Sequence, residues 1–80
     1  MDNCEYAILT EARQGIEELD AIRVNEGISY AKVSRDAGTP DTGQQYYRMM
    51  RRKDIRLSRF LGFARAIGCE VVLIRRGKAE

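Results

Sequence analysis

The 80-residue sequence predicts a small, mostly α-helical domain of four to five helices, finished by one short β-strand. Apolar residues recur at intervals of three and four over residues 6–24, 46–50 and 57–67, the spacing that places them on one face of a helix. Glycine, asparagine and the single proline punctuate these stretches around residues 25–27, 38–41 and 68. From Cys69 to Ile74 the pattern changes to consecutive β-branched and aliphatic residues, which suit a strand.

The first helix is expected over Tyr6 to Val24, within an acidic N-terminal element reaching residue 26. Ile8, Ala12, Ile16, Leu19 and Ile22 form its apolar stripe. Gly15 lies inside it, where glycine costs a helix roughly 1 kcal/mol relative to alanine, and marks a kink or a division into two shorter helices. Asn25-Glu26-Gly27 ends the element, since Gly27 suits the left-handed position after a helix. Ser29 is an N-cap for the next helix, Ser29 to Ala37, because its hydroxyl can accept from a backbone N–H one turn on. Ile28, Ala31, Val33 and Ala37 supply the buried side, and Gly38 turns the chain.

Two starts compete for the third helix, placed over Thr42 to Lys53. Either Thr39 caps it with Pro40 in the first turn, or Asp41 caps it after an extended Thr39-Pro40; the second is preferred. Tyr46, Met49 and Met50 then point inward, leaving Gln44, Gln45, Tyr47, Arg48, Arg51 and Arg52 largely outward and Thr42 and Gly43 at the tip. After a link over residues 53–56, Leu57, Phe60, Leu61, Ala64 and Ile67 repeat at helical spacing, Phe63 widens the stripe, and Gly68 ends it. The strand over residues 69–75 cannot satisfy its own backbone groups, and no second strand is evident. Pairing with the same strand of a second copy, through Cys69, Val71, Val72, Leu73 and Ile74, is the simplest solution, with Arg75, Arg76 and Lys78 as a polar fringe.

Composition narrows the function. No histidine is present, and Cys4 and Cys69 lie at opposite ends, so neither a zinc cluster nor a close redox pair is expected; no metal, cofactor or catalytic residue is assigned. An enzyme is the least supported reading, and RNA binding is weaker than DNA binding because the aromatic and glycine-rich signatures of common RNA modules are missing. The start lacks a signal-peptide layout and no stretch is apolar enough to span a membrane, which points to a cytoplasmic, nucleoid-associated protein. The net charge of +2 conceals a segregation: residues 1–27 carry seven acids and two bases, residues 28–80 five acids and twelve bases. The basic half is the expected polyanion face.

A short helix, a break and a polar helix rich in glutamine, tyrosine and arginine form the order in which a helix-turn-helix, here residues 28–53, offers side chains to the DNA major groove. Val33-Ser34-Arg35-Asp36-Ala37-Gly38, with Arg56-Leu57-Ser58-Arg59-Phe60-Leu61 and Ala66-Ile67-Gly68-Cys69-Glu70-Val71-Val72-Leu73, resembles the lambda-repressor/Cro-like (XRE) regulators, above all small phage repressors and addiction-module antidotes. The resemblance covers about residues 16–74. It departs from the family at Ser34, where alanine is usual, and in a turn about two residues longer; residues 1–15 inherit no role.

The resemblance implies a lambda-repressor-like bundle acting as a homodimeric, sequence-specific regulator, a repressor at an inverted-repeat operator. Thr42, Gln44, Gln45 and Arg48 are the expected contacts to base edges, with Tyr47 on phosphate or a thymine methyl; glutamine suits adenine and arginine suits guanine. Ser29, Tyr30, Arg51, Arg52 and Lys53 are the expected phosphate contacts. Activation through polymerase contact by the acidic first helix is the alternative to repression. The rival reading is an antidote or adaptor that holds a protein partner such as a toxin through the acidic N-terminal element and binds DNA secondarily.

Overall fold

The structure, a computed structural model, describes residues 7–75 and 77. Four helices run in the order α1 (Ala12–Glu26), α2 (Tyr30–Asp36), α3 (Gln44–Arg52) and α4 (Leu57–Ile67). Tyr6 and Cys4, and the fringe residues Arg76 and Lys78, lie outside the described residues.

Helix α1 begins six residues later than its apolar spacing predicts. Gln14 Oε1 accepts from Thr10 N–H at 2.8 Å and from Thr10 Oγ1 at 3.0 Å, a local bond pair that turns the chain into the helix at Glu11. Gly15 neither kinks nor divides α1. It is buried, and a Cβ built there would lie 3.1 Å from Leu9 Cδ1 and 3.7 Å from Phe60 Cζ, so the missing side chain admits the N-terminal segment and α4. Of the expected stripe only Ile16 and Leu19 are buried, while Ile8 and Ile22 stay exposed. Gly27, at φ 71°, closes the helix as expected: its N–H donates to Val24 O and Ile28 N–H donates to Arg23 O.

Helix α2 is capped as its sequence suggests, with Lys32 N–H donating to Ser29 Oγ at 3.1 Å. Of its expected buried side, Val33 is buried and Ala37 half-buried, but Ala31 is exposed. The chain leaves through Gly38, and Thr39 folds back, both its N–H and its hydroxyl donating to Ser34 O at 3.0 Å.

Helix α3 starts two residues after Thr42. Asp41 Oδ1 accepts from Gly43 N–H at 2.9 Å, tightening residues 41–43 into a side-chain-closed turn, and Gly43 takes the cap position itself at φ 106°. A Cβ on Gly43 would stand 2.7 Å from Tyr30 Cβ and 3.0 Å from Tyr30 C, so the starts of α2 and α3 touch here through backbone. The helix ends on Lys53, which adopts φ 57° and donates its N–H to Met49 O.

The core draws on every helix: Ile16 and Leu19 from α1, Val33 from α2, Tyr46 and Met49 from α3, and Phe63, Ala64 and Ile67 from α4. Tyr46 is its hub, with ring centroids 5.1 Å from Phe63 and 5.0 Å from Tyr30. On α4 the buried stripe is rotated from the expected one. Phe63 is fully buried at its centre, while Leu57 and Leu61, expected inside, are exposed.

Residues 69–75 form no strand within the chain, and no strand occurs among the described residues. Cys69 N–H donates to Ala64 O, finishing α4, and its side chain packs on the core. Val71, Val72, Leu73 and Ile74 then follow outside any helix or strand with their side chains exposed, Leu73 at 97 %.

Candidate nucleic-acid interface

Helix α3 is held by one face and free on the other. Tyr46 and Met49 are fully buried and Met50 half-buried, which turns Gln44, Tyr47, Arg48, Arg51 and Arg52 outward at the spacing of successive turns. An exposed, mixed amide, phenol and guanidinium surface on a helix anchored through the core can offer donors in a fixed array.

At its N-terminal tip, Thr42 and Gln44 are exposed. Gln45 is half-buried and turns to the side of the helix, toward Arg52 and α4. Tyr47 and Arg51 are coupled: the guanidinium lies 5.8 Å from the ring centroid and donates to the phenol oxygen at 3.4 Å. Asp41 places a carboxylate beneath this tip. The Gly43 N–H holds its pKa below the usual range against the cost of partial burial, with smaller help from the N–H groups of Gln45 and Gln44 and from the Ser34 hydroxyl. No side-chain hydrogen bond caps α3 itself, and the carboxylate sits on Gly43 N–H just ahead of the helix.

The residues assigned to phosphate divide. Arg51 and Arg52 are exposed and enter no ion pair among the described residues. Ser29 is exposed, but its oxygen already accepts from Lys32 N–H. Tyr30 is half-buried between the Arg23 guanidinium, 4.5 Å from its ring centroid, and Tyr46. Lys53 Nζ lies 3.7 Å from Glu17 Oε2 and reaches toward α1.

Residue spacing did not reveal two features. A shallow groove of about 270 Å³ runs between α3 and the start of α4, lined by Gln45, Arg48, Arg52, Arg56 and Arg59 with Asp54 at its edge. The basic excess of residues 28–80 includes its arginines, yet only the packing of α4 brings Arg56 and Arg59 beside Arg52. The second is a polar cluster behind α3. Asp20 Oδ1 accepts from Arg23 Nε at 2.7 Å and from the Tyr46 hydroxyl at 3.0 Å, and Arg23 also donates to Ile28 O at 2.6 Å. This cluster ties α1, the α1–α2 turn and α3 together, so the basic face is backed by a charge-satisfied support.

Among the described residues no helix is long and apolar enough to cross a membrane, and no group of three or more ligating side chains could hold a metal. No family model, curated protein or solved structure matches the chain.

Proposed function

We propose that the chain is a sequence-specific duplex-DNA-binding regulator of the lambda-repressor/Cro-like kind, with α2 and α3 as a helix-turn-helix and α3 as the reading helix. The observation that carries this reading is the division of α3: Tyr46 and Met49 are locked in the core while Gln44, Tyr47, Arg48 and Arg51 stand exposed on the opposite side. Thr42, Gln44 and Arg48 approach base edges and Gln45 reads from the flank; Tyr47 and Arg51 act as one unit at the groove wall. Arg51 and Arg52 hold phosphate, with Ser29, whereas Tyr30 and Lys53 serve mainly to fix the helices.

The chain works as a homodimer. Val71 to Ile74 expose four consecutive aliphatic side chains, a row that gains both backbone partners and apolar cover by pairing with its copy. Two reading helices related by a dyad match an inverted repeat with half-sites about 34 Å apart. Repression by promoter occupancy in the cytoplasm is the simplest consequence.

Selection of bound duplexes from a random pool, followed by affinity at two salt concentrations, tests the reading. A dyad-symmetric preferred site with a steep salt slope is expected, relaxed more by Arg48→Ala or Gln44→Ala than by Lys53→Ala. Binding no better than that of a generic polycation would overturn it. The antidote reading draws on exposed Glu17, Glu18 and Glu26 on α1 beside exposed Ile22 and Val24. A stoichiometric partner that survives charge reversal of α3 but not of α1 would favour it.

A further inference from the structure

We infer that the groove between α3 and α4 is a binding site for linked phosphate groups, built by Arg48, Arg52, Arg56 and Arg59. Arg48 is shared with the reading face, and Arg52, Arg56 and Arg59 extend the site beyond it; those three do not depend on which bases α3 reads or on whether duplex DNA is the partner. Its shape follows from the fold. Arg48 and Arg52 stand one helical turn apart on α3, Arg56 precedes α4, and Arg59 sits in α4's first turn, so four arginines from two elements line about 270 Å³ of open space.

Charge and hydrogen bonding favour the same ligand. Among the described residues, none of these arginines makes an ion pair or a side-chain hydrogen bond. Asp54 is the acid at the edge, and its Oδ1 accepts from Ile55 N–H at 2.9 Å, which holds it along the link between the helices. Four forked donors against one carboxylate leave a local excess of positive charge that a single phosphate would not exhaust. Guanidinium groups bind phosphate oxygens through paired, charge-assisted bonds, so two or three phosphates in series suit this spread better than one. Met49 and Ile55 add apolar lining, and Gln45 is the one uncharged polar side chain among the lining residues, so charge dominates the groove. Successive phosphates of a nucleic-acid strand and a free polyphosphate share the chemistry required.

The test uses the full chain and the Arg56→Gln/Arg59→Gln double variant, which alters two surface residues and leaves Tyr46, Phe63 and the α3 face untouched; circular dichroism and thermal melting check the fold. In the first arm, sodium tripolyphosphate and orthophosphate are titrated while backbone amides are followed by NMR. Shifts confined to residues 48–59, saturating at least tenfold earlier for tripolyphosphate and lost in the double variant, support the site. In the second arm, salt-dependent binding to a fixed duplex should weaken on the order of tenfold in the double variant, and the salt slope should fall by about 2, near one unit per lost phosphate contact. A response in the duplex arm alone identifies a strand's backbone as the ligand, and a response in the tripolyphosphate arm alone a free polyphosphate. Should the folded double variant match the parent chain in both arms, the site is overturned, and sequence-specific duplex binding by the parent would still uphold the regulator reading. Polyphosphate binding by a chain with no duplex preference would do the reverse.

Discussion

The Tyr46 hydroxyl donates to Asp20 Oδ1 at 3.0 Å, a bond that joins α3 to α1 across 26 positions of sequence. The same carboxylate oxygen accepts from Arg23 Nε, so one acid serves a phenol and a guanidinium together. The ring below that hydroxyl is fully buried against Phe63 and Tyr30. Tyr46→Phe keeps the ring and removes the bond. A hydrogen bond to a charged group contributes about 1.5–3 kcal/mol, and because Arg23 remains on Asp20 the lower end is expected, read as a reduced midpoint in urea unfolding with an unchanged slope. An unaltered midpoint would show that the bond contributes nothing to stability.

The same contact predicts an alkaline limb. Burial first, and the Asp20 charge second, raise the Tyr46 pKa well above its ordinary value. The fold therefore holds the phenol protonated while the unfolded chain releases its proton near pH 10. The contribution is complete below that pH and lost above it, at up to about 1.4 kcal/mol per pH unit. Stability measured from pH 8 to 11 should fall more steeply for the parent than for Tyr46→Phe; parallel decline would contradict the assignment.

Ser34 presents the opposite case. Its Oγ is fully buried and has no hydrogen-bond partner, although Asp41 lies near enough for the hydroxyl to help hold that carboxylate low. An unpaired buried hydroxyl costs about 1–3 kcal/mol, so Ser34→Ala is expected to raise the thermal midpoint. A lowered midpoint would mean that the hydroxyl's influence on Asp41 outweighs its desolvation.

Gly43 has two separate reasons to be glycine. Its φ of 106° disfavours any side chain, and a Cβ would press against Tyr30 at 2.7 Å and against Ala31 N at 3.2 Å. Gly27 shares only the first: at φ 71° its Cβ would meet nothing within 4 Å. Gly27→Ala should cost about 1–2 kcal/mol through backbone conformation alone. Gly43→Ala should add a steric penalty of about 1–3 kcal/mol, because the first turn of α2 must move. Equal losses in chemical denaturation would refute the contact.

Asp41 predicts an acid limb. Its carboxylate is held below the usual range chiefly by Gly43 N–H, so its stabilisation is present above the unfolded value near pH 4 and disappears as pH falls through the lower folded value. Asp41→Ala removes the carboxylate that closes the turn over residues 41–43, at about 0.5–1 kcal/mol near neutrality. The difference between parent and variant should shrink as the pH falls below about 4; a constant difference down to pH 2 would assign the loss to something other than the charge.

Much of this architecture was legible in the residues because local chemistry sets it. The Ser29 cap, the Gly27 and Gly68 stops and the inward Tyr46 and Met49 all follow from interactions within about one turn of chain. The outward face of α3 is the complement of that inward pair, so most of the candidate reading surface could be named from spacing alone. The start of α1 could not, because Thr10 and Gln14 outcompete an apolar rhythm that continues to Ile8. The α4 stripe was misjudged because an apolar residue is eligible for burial but does not choose it: Phe63 sits opposite Tyr46, and Leu57 and Leu61 find no facing helix.

Residues 29–52 by themselves determined a capped helix, a turn and a second helix with one apolar and one cationic side, since periodicity and capping act over a few residues. Only the tertiary structure decided that Asp20 lies beneath Tyr46, that Gly43 abuts Tyr30, and that Arg56 and Arg59 share a groove with Arg48 and Arg52. Each of those relationships spans more than one element. The packing of whole helices sets them, through shape and burial that no short window of sequence contains.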